Sequence, residues 1–217
     1  MNFENIKNCP LFDEINDDQL SILLECINAK DVRFRKNQSV FLEGDPARFI
    51  GIVLSGSVQV VLEDYFGNRN IIAIIEPGQL FGEAFACASV KNLPVSVTAV
   101  CDSEIMLIES ERIITQCEKL CTFHNRIIHN LLHIVADKNL KLNQKIQFTS
   151  RRTTKEKLMA FLMYQAKIAK SSSFYISYDR QQLADYLGVE RSAMAAEISK
   201  LRSEGTIECR KNYFKLL

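Results

Sequence analysis

Helix breakers are nearly absent from the middle of this sequence. Between Gly82 and Gly188 there is no glycine and one proline, Pro94. A long helical stretch is therefore permitted there, and a set of tight turns is not. Histidine is as scarce: His124, His129 and His133 are the only three. No Ser-His-Asp order surrounds a nucleophile elbow, and no glycine-rich phosphate loop occurs. Catalytic chemistry needs a converging constellation, so the chain is not expected to be an enzyme and no catalytic residue is assigned. No apolar run approaches the roughly 18 residues that cross a bilayer. The first residues, Met1-Asn-Phe-Glu-Asn-Ile-Lys7, lack the basic-then-apolar order of a signal peptide. The seven cysteines are odd in number and irregularly spaced, which fits a reducing compartment better than a disulfide framework. The expectation is a cytoplasmic protein without a membrane span.

What the chain does contain is divided unequally. Its 217 residues fit one large or two ordinary domains. Residues 1–146 hold 14 Lys/Arg against 19 Asp/Glu, and residues 147–217 hold 13 against 7. The overall charge of +1 hides an acidic front and a basic back. That asymmetry suits a regulatory domain joined to one that binds a polyanion.

The basic end carries the most informative stretch. From Asp179 to Leu201 two short helical patterns flank Gly188. Asp179 and Gln182 have capping-box spacing, and Leu183, Ala184 and Leu187 share one face. Gly188 can take the left-handed conformation that ends a helix, and Val189 plugs the turn. The second helix runs from about Arg191 to Ser203, with Met194, Ile198 and Leu201 facing inward. This is helix-turn-helix spacing, in which the second helix enters the major groove. Ile207 and Cys209 then alternate with Glu208 and Arg210. Lys211-Asn212 reads as a tight turn, with Asn tolerating positive φ, and Tyr213–Leu216 returns as a second strand. The module is a winged helix.

Ahead of it, residues 1–30 read as short helices. From Asp31 the apolar period changes to two. Short strands are expected around Val32–Arg35, Val40–Glu43, Phe49–Leu54, Ser57–Glu63, Ile71–Ile75, Val95–Val100 and Glu104–Ile108, with Ile71–Ile75 buried. Strands every eight to twelve residues, separated by glycine turns, suggest a sandwich or barrel. From about Ser110 the pattern is helical and long. Ile113, Cys117, Leu120, His124, Ile127 and Leu131 fit a seam; Ile128, Val135, Leu142 and Ile146 continue it, shifted around the helix. A helix of roughly 35 residues would extend about 50 Å, and a second copy of itself is the simplest partner for its stripe. Gln147–Thr154 is polar and reads as a hinge.

Gly44-Asp45, Ser55-Gly-Ser-Val-Gln-Val60, Pro77-Gly-Gln-Leu-Phe-Gly-Glu83 and Arg180-Gln-Gln-Leu-Ala-Asp-Tyr-Leu-Gly-Val189 together resemble the Crp/Fnr superfamily of bacterial transcription regulators. The resemblance covers essentially the whole chain. It implies an α+β fold: an N-terminal double-stranded β-helix (a β-roll like that of cyclic-nucleotide-binding domains) over residues 1–109, a long dimerisation helix over 110–146, and a C-terminal winged helix-turn-helix over 147–217. The implied partners are double-stranded DNA with a palindromic operator, a second copy of the chain, RNA polymerase and a small effector.

Family membership leaves the effector open. Gly82 and Glu83 match the ribose-binding pair of members that bind cyclic AMP. The arginine that holds the phosphate has no counterpart, because that segment reads Asn92-Leu-Pro-Val-Ser-Val-Thr98. A cyclic phosphate is anionic and favours a bidentate guanidinium. The adenine-contacting pair on the long helix is replaced near Asn139-Leu140. The reading is a small organic effector, not cyclic AMP, against Phe81, Gly82, Glu83, Val95, Ser96, Val97 and Asn139. No other cofactor is assigned. The alternatives are a cyclic-nucleotide-responsive regulator and a redox-, haem- or metal-sensing one. The cysteines do not form an iron–sulfur motif. Cys117, Cys121 and His124 share a helix face as a soft-metal or haem edge, weighed against ordinary seam packing. His129 and His133 read as surface or seam residues, and no metal site is assigned. A thiol switch at Cys87 or Cys101 is the further option.

For DNA, the positions matching the family's base-reading residues are Arg191, Ser192 and Ala196. Arg191 can donate two bonds to guanine. Methyl groups of Ala195 or Ala196 suit thymine. Arg180, Gln181, Ser199, Lys200, Arg202, Arg210 and Lys211 are expected along the backbone, setting register rather than sequence. Glu190 is a weak helix cap.

Overall fold

The computed structural model describes residues 6–63, 65, 69–88, 90–115 and 123–217. Among the described residues of 30–109, the alternating stretches form eight strands arranged in two sheets. One has the order β1 (Lys30–Phe34), β8 (Ser103–Glu109), β3 (Phe49–Ser55), β6 (Leu80–Phe81). The other has β2 (Ser39–Phe41), β7 (Ser96–Ala99), β4 (Val58–Glu63), β5 (Arg69–Ile75). All the pairings are antiparallel.

Period two divides the apolar side chains of β3 and β8 between two cores. On β3 and β8, Ile50, Ile52, Leu54, Met106 and Ile108 join a cluster with Leu11, Leu20, Leu23 and Ile27 from the N-terminal helices, which include α1 (Asp17–Cys26). Val53 and Ile105 point the other way. They meet Val58, Val97 and Ala99 of the second sheet, with Phe34, Phe41, Phe81 and Leu93. This inner cluster is the core of the roll. Gly51 is required by a close approach: a Cβ there would lie 2.1 Å from the Phe81 ring.

Two expectations for the roll change. Ile71–Ile75 is a strand but not a buried one. It is the sheet's edge, pairing only with β4, and Ile71, Ile72 and Ile74 are more than half exposed. The short helix α2 (Glu83–Cys87), opened by Gly82 in the left-handed region, was not expected.

The long helix is also redrawn. Ser110–Ile114 is a separate short helix, α3. Residues 116–122, with Cys117, Leu120 and Cys121, lie outside the described residues. The next helix, α4, runs His124–Thr149. Its first half belongs to the N-terminal unit. Ile113, Ile127 and Leu131 are buried in that unit's core, with Ile128 and Val135 half-buried beside them. His124 is 2 % exposed, and its Nε2 lies 2.8 Å from the Ile113 carbonyl oxygen. Asn130 Nδ2 donates to the carbonyls of Leu11 and Asp13 at 3.0 and 2.9 Å, and Arg126 pairs with Glu14 at 2.8 Å. Ile113, His124 and Leu131, expected on a dimer seam, are therefore used inside their own chain.

The chain separates into two compact units, Met1–Ala136 and Asp137–Leu217. The break falls inside α4, not at the polar stretch after it. Phe148, expected in the hinge, is 4 % exposed in the second unit's core, its ring 5.8 Å from Phe161 and 5.4 Å from Tyr164. The helix ends at Thr149, and Thr153 and Glu156 form a capping box for α5 (Thr154–Ala169).

Candidate nucleic-acid interface

In the second unit, α6 (Arg180–Leu187) begins at the Asp179–Gln182 capping box. Gln182 N donates to Asp179 Oδ1 at 2.8 Å, and Asp179 N donates to Gln182 Oε1 at 2.9 Å. Gly188 closes the helix at φ 60°, ψ 53°, the left-handed cap its sequence position required. Fully buried Ala184 lets α6 approach α7 (Arg191–Ser203) closely. Met194, Ile198 and Leu201 anchor α7 in a core shared with Leu158, Phe161, Leu162, Ile207 and Phe214. Burying each such aliphatic side chain contributes about 1.5–3 kcal/mol.

With that stripe buried, helical geometry turns the intervening residues outward. Arg191, Ser192, Ala195, Ala196, Ser199, Lys200 and Arg202 are all exposed. Small side chains at 192, 195 and 196 leave the middle of this face low, with Arg191 standing at its N-terminal end. Ser199 Oγ donates back to the Ala195 carbonyl at 3.1 Å, keeping its hydroxyl against the helix. Glu190 occupies the cap position without a side-chain cap bond.

The wing is β10 (Ile207–Arg210) paired with β11 (Tyr213–Leu216), and β11 pairs in turn with β9 (Ser173–Tyr175). Its turn corrects one detail. Lys211, not Asn212, takes the positive φ, at 52°. Arg180 holds that turn: Nη2 donates to the Lys211 carbonyl at 2.9 Å, and the guanidinium lies 4.9 Å from the Phe214 ring centroid. Arg180 thus ties the first helix to the wing. Gln181 bonds Asp185 at 2.9 Å on an exposed surface, and Lys211 and Arg210 are exposed at the wing tip.

In the roll, the expected effector residues are brought together mostly as packing. Phe81, Val95 and Val97 are at most 5 % exposed, and Phe81 lies 5.6 Å from Phe41 between ring centroids. Leu93, in the segment that lacks the phosphate arginine, is 4 % exposed in the same core. Ser96 Oγ accepts from Glu43 N at 3.0 Å. Glu83 is buried beside Gly82. Asn139 is exposed on the other compact unit and accepts from Asn143 Nδ2 at 2.6 Å. Burial, and then the Glu83 carboxylate, push the Cys87 thiol above its ordinary value of 9.0, the opposite of what a reactive thiolate needs. Among the described residues no three His, Cys, Asp or Glu side chains form a metal-binding group.

Residues 31–119 match the cyclic nucleotide-binding domain, and residues 156–217 match the Crp-like helix-turn-helix domain. The chain belongs to the Crp/Fnr family of DNA-binding transcription regulators. Crp/Fnr relatives include the cyclic AMP receptor protein of Thermus thermophilus, 21 % identical over 93 % of this chain and 89 % of the relative. The transcriptional activator protein anr of Pseudomonas aeruginosa is 21 % identical over 80 % of this chain and 70 % of its own. Among solved structures, the c-di-GMP-responsive regulator CLP of Xanthomonas campestris aligns with a TM-score of 0.55 at 20 % identity, covering 90 % of this chain and 98 % of that one. The Thermus thermophilus catabolite activator protein gives 0.51 at 19 %, covering 96 % and 93 %. At these identities the structural likeness speaks for the Crp/Fnr fold alone. No helix among the described residues is long and apolar enough to cross a membrane.

Proposed function

We propose that this Crp/Fnr protein acts as a homodimer that reads an inverted-repeat operator and is switched by a small organic effector at the roll. The observation that carries the reading is the face of α7. Arg191, Ser192, Ala195 and Ala196 are exposed together, held by the buried row Met194, Ile198 and Leu201. A guanidinium followed by small side chains suits a helix lying in the major groove. Arg210, Lys211, Lys200 and Arg202 are assigned to phosphates, while Arg180 positions the wing.

A second stripe of α4 supports the dimer. Ile128, Leu132, Val135, Asn139, Leu142 and Ile146 follow each other at alternating intervals of four and three, the spacing of a coiled-coil seam. Leu132, Leu142 and Ile146 are 65, 59 and 51 % exposed, so the stripe is open at these three positions, while Ile128 and Val135 rest half-buried on the N-terminal core. Asn139 falls at a core position, where a polar residue fixes register and favours two strands. Lys138 and Lys145 flank the seam on one side. Parallel pairing sets them opposite Asn143 and Ser150 of the second copy, whereas antiparallel pairing sets lysine against lysine.

Against cyclic AMP stand the apolar Leu93 and Val95, buried where a cation would have to meet the phosphate. Isothermal titration with cyclic AMP and cyclic GMP is expected to give no heat, and saturable binding would overturn that part. The dimer is tested by Leu142→Lys with Ile146→Lys. Sedimentation should then show a monomer, with affinity for an inverted repeat reduced at least about tenfold. A double variant that stays dimeric and binds as before would place the interface elsewhere.

A further inference from the structure

Two of the three histidines meet on the surface of α4. His129 and His133 lie one helical turn apart, both exposed, with their Nε2 atoms 3.2 Å from each other and ring centroids at 4.3 Å. Neither belongs to the row that packs on the N-terminal core, nor to the exposed positions Leu132, Leu142 and Ile146. In heptad terms they sit beside and outside that seam, so the pair stays accessible whether or not two copies associate. Facing imidazole nitrogens at this spacing suit one metal ion. At the roughly 2.0–2.1 Å of a metal–imidazole bond, a 3.2 Å separation subtends about 100°. That lies between the angles of a square and a tetrahedral site. Imidazole pairs select borderline divalent ions such as Ni2+, Cu2+ and Zn2+ over Mg2+ and Ca2+. Sequence spacing alone left the pair as surface or seam residues, because an i, i+4 relation does not show that the two rings turn toward each other.

We propose that His129 and His133 form a bidentate binding site for a divalent transition-metal ion on α4. The ion cross-links two successive turns, which stabilises the helix, and its remaining positions are left to water. The test is titration of the untagged full chain with Ni2+, using a thiol-free reductant, with calorimetry and thermal melting read together and Mg2+ as control. The expected result is one Ni2+ per chain and a raised melting midpoint. His129→Ala and His133→Ala should each weaken binding at least about tenfold, and the double variant should lose both signals. Both side chains are exposed, so the variants should melt like the parent without metal. Unchanged Ni2+ binding in the double variant would place the site elsewhere and overturn the proposal. Loss in only one single variant would deny chelation. No heat and no shift in the parent would remove the site altogether.

Discussion

The recognition helix and the inner wall of the roll use side chains in opposite ways. On α7 the buried row Met194, Ile198 and Leu201 leaves Arg191, Ser192, Ala195 and Ala196 exposed. In the roll, Phe81, Val95 and Val97, expected around an effector, are themselves core, with Leu93 beside them, and all four are at most 5 % exposed. A helix can separate support from contact around its circumference. A strand has only two faces, and the face turned toward a ligand is also the one available to fill the roll. The outer face of α7 is therefore open, while the side chains expected around an effector in the roll are packed.

The strongest way to break this comparison is Phe81→Ala. A buried aromatic removed from a core costs about 3–5 kcal/mol, and chemical denaturation should show that loss in the roll. A cost near zero would mean that Phe81 lines an open pocket after all. A smaller effect is expected at the wing. Lys211→Gly relieves a positive φ that glycine adopts freely, so stability should hold or rise by up to about 1 kcal/mol. DNA affinity should fall for all sequences alike, with the salt slope reduced by about one. A stability loss would show that the Lys211 side chain supports the turn.

Cys87 gives a pH-dependent test. Its thiol is held above the ordinary value of 9.0, so the folded state favours the protonated form. That contribution is full below the unfolded value and is lost as pH rises through the folded one. Cys87→Ser should flatten the alkaline fall in stability, read from denaturation midpoints from neutral pH to above the ordinary thiol value of 9.0. An unchanged slope would separate Cys87 from that fall. The smallest effect belongs to the exposed Lys155–Glu204 pair at 2.8 Å. Lys155 holds the Glu204 carboxyl below its ordinary range, so its small contribution is present at neutral pH and lost as pH falls through the folded value. Glu204→Gln should lower the melting midpoint slightly at low salt and not at high salt.

The second unit was legible almost residue by residue. Its signals are local: a cap at Asp179, a left-handed glycine at 188, and an apolar row that fits one helix period. Less was legible where the signal depends on a distant partner. The shift between the rows of α4 is visible in the sequence, but its cause is not. His124, Ile127 and Leu131 face the chain's own core, while Leu132, Leu142 and Ile146 face outward, and periodicity does not name the partner of a stripe. Ile71–Ile75 looked buried because an apolar edge strand and a central one have similar composition. The hold of Arg180 on the wing turn was not legible, because nothing in its neighbours announces a turn 31 residues away.

The most direct measurement is operator selection from a random DNA library, carried out with the parent and with Arg191→Ala, at matched salt. The account predicts an inverted repeat in which the variant loses preference at one base pair per half-site, a discrimination of about 1–3 kcal/mol. An unchanged motif bound more weakly at every sequence would contradict it and reduce Arg191 to a phosphate contact.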